Sequence, residues 1–218
     1  VTYINVDTGV SGGDFAGGAT PALAAFLRDV TKSVKDPRAD RPLYDAWAAQ
    51  SETGVPDVAT IVGATDYTAF QEYLGVSCID MYFDGPYGVY HSMYDNYFRQ
   101  STIVDPGFKV GTGLSQLWGV LAWRLADTQV LPMRYSDYAR AAIGYIEAAE
   151  RHAGETQPLR LDAARAAAAR WEAAATDLER RLTYESLTPD TARAVNERLM
   201  AVERALVEPT GQRGRPFI

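Results

Sequence analysis

Two short stretches of the chain carry residue types able to bind a metal ion. The first is Tyr3-Ile4-Asn5-Val6-Asp7, a strand-like run that ends on a carboxylate. In an open α/β sheet the carboxyl ends of the strands face the crevice where ligands bind, so Asp7 is placed to project there. The second is Tyr90-His91-Ser92-Met93-Tyr94-Asp95. Neutral imidazole is the commonest protein metal ligand, and a nearby carboxylate such as Asp95 can orient it. Both residues have plainer uses. Asp7 can cap a turn or helix, and His91 can simply pack among tyrosines. The other histidine, His152, falls at a helix end, where it faces solvent or meets the carboxyl-terminal dipole. The single cysteine, Cys78, lies in an apolar run and reads as a buried, inert thiol.

These residues need elements to position them. Residues 1–6 read as a β-strand from the first residue onward, and a chain that opens in mid-strand is expected to belong to something longer. A glycine-rich loop is expected over 9–18. Thr20-Pro21 then resembles an N-cap and first helical position. Leu23, Phe26, Leu27, Val30 and Val34 give the following helix one apolar face, and Asp36-Pro37 ends it. A polar, proline-containing stretch runs to about residue 57. Residues 59–62 form a short strand, 66–74 a short helix, and 76–83 a strand apolar enough to be buried on both faces. Strand–helix–strand alternation indicates an α/β sheet. After a Gly- and Tyr-rich loop, a helix over 112–128 presents Leu114, Leu117, Leu121 and Leu125.

The composition changes at Leu131-Pro132, and everything beyond reads as helix. Tyr138, Ala141, Ala142, Tyr145 and Ala149 line one stripe. Leu161, Ala164, Ala168, Trp171, Ala175, Leu178 and Leu182 line a second, and Ala192, Val195, Leu199, Val202 and Leu206 a third. Such spacing predicts helices packed side by side as a bundle. The expected architecture is therefore an α/β sheet unit over residues 1–131 and an all-helical bundle over 132–218. Thr188-Pro189-Asp190 carries a cap, an N1 proline and an acidic first turn, and starts the last helix.

Bulk properties exclude some functions. A net charge of -7 argues against a nucleic-acid surface, which needs clustered Lys and Arg. No run is apolar for the roughly 20 residues that span a bilayer.

Taken in order, YINVD, SGGDFAGGATPAL, GATDYTAF, LGV, GVYHSMYDNYF, DPGF and EPTGQRGRPF resemble the glutamate carboxypeptidase II and transferrin receptor family. The resemblance spans nearly the whole chain. It implies a partial zinc-exopeptidase α/β/α sheet followed by a transferrin receptor-like dimerisation domain. By that resemblance Asp7 is a ligand of one zinc ion, His91 a ligand of the other, and Tyr90 the residue that hydrogen-bonds the oxyanion. The substrate would be a peptide, and the helices after Pro132 would pair two copies into a homodimer. A second histidine, a bridging aspartate and a Glu-Glu pair, which the family also needs, precede the YINVD strand. The chain alone is therefore expected to bind zinc weakly or not at all and to hydrolyse nothing. Where glutamate carboxypeptidase II has an arginine patch, this chain has Asp80 and Tyr82, a poor match for acidic substrates. The alternative within the family is a catalytically inactive, transferrin receptor-like binding protein. Family members mostly work outside the cell or in the periplasm, some through a membrane anchor, and the same is expected here.

Overall fold

A computed structural model describes residues 1–63, 65–153 and 159–208. Four strands form one mixed sheet: β1 (Thr2–Asn5), β2 (Asp14–Ala19), β3 (Val58–Thr60) and β4 (Ser77–Asp84). Their order across the sheet is β1-β4-β2-β3. β1 runs parallel to β4, with Asn5 opposite Asp80, whereas β2 runs antiparallel to β4 and parallel to β3. The expected α/β sheet and the helices beyond it are both present.

β2 is the one strand that composition concealed. It lies inside the glycine-rich stretch expected as loop. Phe15 and Ala19 are buried there, and the intervening glycines make room for neighbours: a Cβ on Gly17 would lie 3.0 Å from Leu27 Cδ2 and 3.2 Å from Trp47 Cη2. Just upstream, a Cβ on Gly12 would come within 2.2 Å of the Asp84 carbonyl oxygen and 2.4 Å of Gly85 Cα. Only glycine permits that crossing of two backbones.

Alternation along β4 sends Ile79, Met81 and Phe83 to one face and Cys78, Asp80 and Tyr82 to the other. The first face carries the main core. Phe15 packs edge-on against Trp47 at 4.9 Å and against Phe83 at 5.3 Å between ring centres. Covering this face are α1 (Ala24–Thr31), α2 (Leu43–Ala48) and α4 (Lys109–Asp127), which contribute Leu27, Val30, Leu43, Leu117 and Leu121. α2 occupies part of the stretch read as merely polar, where Leu43 and Trp47 supply the inward face. The second face is closed only near Cys78, by Ile61, Tyr67 and Tyr3. Tyr3 in turn stacks on Phe70 at 4.2 Å, within the π-helical turn Ala69–Tyr73. Asp80 and Tyr82 lie beyond that cover and are half-buried. Burial of β4 on both faces therefore holds for only part of its length.

Thr20 precedes a 3-10 turn, Pro21–Leu23, with proline at its start, but its side chain makes no capping hydrogen bond. Beyond Pro132 come α5 (Tyr135–Ala153), α6 (Asp162–Tyr184) and α7 (Pro189–Ala205). α5 packs along α6, and Tyr138 meets Trp171 at 5.5 Å. Thr188 does cap α7, accepting a hydrogen bond from Thr191 N at 3.2 Å. Tyr135 of α5, Ala175 of α6 and Leu199 of α7 join the same apolar core as the sheet. The RPF motif, Arg215-Pro216-Phe217, lies outside the described residues.

Candidate functional site

The parallel pairing of β1 with β4 decides which residues meet. Parallel strands end on the same side of a sheet, so the chain beyond Asn5 and the chain beyond Asp84 leave from one end. Asp7 follows β1, and the loop carrying Tyr90 and His91 follows β4. Loops far apart in sequence thus start from one sheet end, where ligand crevices form in such folds.

Asp7 is exposed, and its Oδ2 accepts a hydrogen bond from Thr65 Oγ1 at 2.8 Å. Thr8, next to it, takes a left-handed backbone at φ 46°, so the chain turns sharply as it leaves the strand. Beneath Asp7, the Asn5 amide donates to Asp80 Oδ1 at 2.9 Å. Burial raises the Asp80 carboxyl above its usual range, the Asn5 hydrogen bond opposes this, and the Asp7 charge adds to the rise.

His91 is exposed and left-handed, at φ 58°. Non-glycine residues seldom adopt that conformation, although histidine does so more readily than most. Its ring stacks on Tyr90 at 3.8 Å with 21° between planes. The stack ties the imidazole to a phenol and leaves both accessible. Asp95, expected to orient His91, is engaged elsewhere: its carboxylate accepts from the Tyr87 hydroxyl and lies 3.9 Å from Arg99. The Arg99 guanidinium also sits over the Tyr87 ring at 5.1 Å. Asn96 caps the short helix α3 (Tyr97–Arg99), accepting from Arg99 N at 3.1 Å. Asp95 therefore braces the loop that presents His91.

Thr65, Tyr87 and Arg99 were not singled out from the sequence. The Asp95–Arg99 spacing of four was a usable signal for an ion pair. Thr65 sits in a turn, and nothing local pointed to Asp7. Cys78 is buried as expected, and burial, then the Glu203 charge, pushes its thiol up to about 12. His152 lies in the last turn of α5. Among the described residues, no group of three or more His, Cys, Asp or Glu side chains is arranged to hold a metal ion. No described helix is long and apolar enough to cross a membrane.

Around the loop, Met93, Tyr94, Tyr97, Phe98 and Ile103 are all more than half exposed.

No family model matches the chain. Curated proteins do. The chain is 32 % identical to the probable glutamate carboxypeptidase LAMP1 of Arabidopsis thaliana, over all of its own length and 32 % of that protein's. It is 30 % identical to the aminopeptidase NAALADL1 of Mus musculus, over 96 % of its own length and 31 % of the relative's. The probable glutamate carboxypeptidase AMP1 of Arabidopsis thaliana is 29 % identical over the whole chain and 32 % of its own length. The chain thus spans about a third of the length of the relatives it matches.

Proposed function

The chain belongs to the glutamate carboxypeptidase-like family of peptidases, and from that premise we propose that it forms part of a two-zinc exopeptidase acting on small peptides. One observation carries the reading. The chain leaves the parallel strands β1 and β4 at the same sheet end, toward exposed Asp7 from one and toward the exposed Tyr90–His91 stack from the other. A carboxylate oxygen and an imidazole nitrogen suit zinc in kind. Asp7 would hold one ion and His91 the other. They are too few to complete a centre, since zinc takes about four ligands. The remaining ligands and the general base belong, on this proposal, to polypeptide beyond these 218 residues. These residues by themselves are then without hydrolytic activity.

Bound zinc supplies Lewis-acid polarisation of the scissile carbonyl and lowers the pKa of water. The chain's own residues do the rest. Thr65 holds the Asp7 carboxylate in one orientation. Tyr90, stacked on His91, offers a phenol proton to the oxygen that gains charge. The brace of Asp95, Tyr87 and Arg99 keeps that pair in place. Asp80, a carboxylate on the open face of β4, disfavours acidic side chains and suits a broader aminopeptidase or dipeptidase preference. The same reading gives the helices of residues 132–218 a role in homodimerisation and places the protein outside the cell or in the periplasm.

Metal analysis of the longer protein tests the ligand assignment. Asp7→Ala and His91→Ala are each expected to lose about one zinc ion per protomer. Full zinc content in both variants would sink the assignment.

A further inference from the structure

Glu203 is a carboxyl buried to 4 % exposure near the end of α7, remote from the proposed zinc ligands in sequence and unused by that mechanism. Three elements meet around it. Ser77 Oγ of β4 donates to Glu203 Oε2 at 3.2 Å. The Tyr135 hydroxyl of α5 donates to the Leu199 carbonyl at 2.6 Å, one turn back along α7. Gly75, at φ 57°, lies against α7 so closely that a Cβ there would sit 2.6 Å from Arg204 Cα. The helix backbone rests directly on the chain entering β4.

Elsewhere α7 is held by side-chain hydrogen bonds. Asn196 accepts from Leu131 N at 2.8 Å and donates to the Gln129 carbonyl at 3.0 Å. Between α6 and α7 runs an apolar groove of about 460 Å³, lined by Tyr135, Trp171, Ala175, Leu178, Val195 and Leu199 among others. Leu199, with Val195 and Val202, joins α7 to the apolar core, but the groove leaves part of the seam with α6 unfilled, and the polar contacts add to the seating of α7.

The groups facing Glu203 are Ser77 and Cys78 from β4 and Tyr135 and Tyr138 from α5. Just before β1, the Val1 nitrogen reaches α7 at Met200 Sδ, at 2.9 Å, and not at Glu203. No ion pair to Glu203 forms among the described residues. A buried carboxylate without a cation is costly. Burial lifts this carboxyl to about 7, against the opposing hydrogen bond from Ser77 and the nearby Tyr135 hydroxyl.

We propose that Glu203 is a proton-dependent latch: neutral, it seats α7 on β4 and α5; ionised, it frees the last turns of α7 and opens the groove beside α6. The direction follows from linkage. The folded value lies above the ordinary 4.5, so the native state keeps a proton that the unfolded chain gives up. The stability of the seated state is full below about 4.5, falls as pH rises, and levels off above about 7.

Hydrogen exchange on the 218-residue chain reads this directly. After correction for intrinsic rates, protection in residues 195–205 should fall about ten-fold or more between about pH 5.5 and about pH 8, with β4 unchanged. Glu203→Gln should keep its protection across that range. Constant protection in the unsubstituted chain, an equal loss in the Gln variant, or an equal loss in β4 would each overturn the latch. Should the Gln variant not fold, Ser77→Ala still decides. It removes a donor that favours the ionised carboxylate, so the midpoint of opening should move to higher pH. A midpoint that stays in place would overturn the proposal.

Discussion

Tyr90→Phe in the longer protein is expected to lower kcat by about 10²–10³-fold and to leave KM nearly unchanged, because one oxyanion donor is worth roughly that much. The phenol proton is useful only when the carbonyl oxygen gains charge, so its loss is felt in the transition state and not in substrate binding. Tyr90 is 53 % exposed, and its ring, which phenylalanine retains, makes the stack on His91. Stability and zinc content should therefore hold. Steady-state kinetics on a dipeptide, with zinc content measured in parallel, checks this. A kcat within two-fold of the parent would remove Tyr90 from the oxyanion role.

The second large effect is structural. Phe83→Ala is expected to cost about 3–5 kcal/mol, measured by urea denaturation. Phe83 is 1 % exposed and packs edge-on against Phe15. Its backbone is pinned as well: its N–H donates to the Gly9 carbonyl at 2.9 Å, and its carbonyl accepts from Ser11 N at 2.8 Å and Gly12 N at 3.2 Å. Such a loss is a large share of the roughly 5–15 kcal/mol that stabilises an ordinary domain. It falls where β4 hands the chain to the Tyr90 loop, so the site should loosen with the core. A cost below about 1 kcal/mol would mean that Phe83 is not central to this core.

Much of the fold could be read from periodicity. The leucines of α4 and the apolar stripes of α5, α6 and α7 repeat at helical spacing, and one face repeatedly buried is what a helix on a sheet requires. β2 escaped because glycine has no side chain to alternate; its strand character comes from Phe15 and Ala19 facing the core and from pairing with β4. α2 escaped because two apolar residues, Leu43 and Trp47, are too few to show a period. Asp7 and His91 were legible as candidates from residue type and neighbours. Their common sheet end was not, since it depends on β1 and β4 pairing across 75 residues (Asn5 to Asp80). Asp95 was read as a partner of His91 because it lies nearby in sequence, whereas Tyr87 and Arg99 reach it first in space.

The sheet order leaves β1 outermost, bonded to β4 along one side only. Among the described residues no strand pairs with its other side, which offers main-chain donors and acceptors with no proline and no lysine to discourage a visiting strand. Together with the apolar loop at the same end, that bare margin makes these 218 residues a template for strand addition when prepared alone. Handling at low concentration would keep that margin from nucleating aggregates.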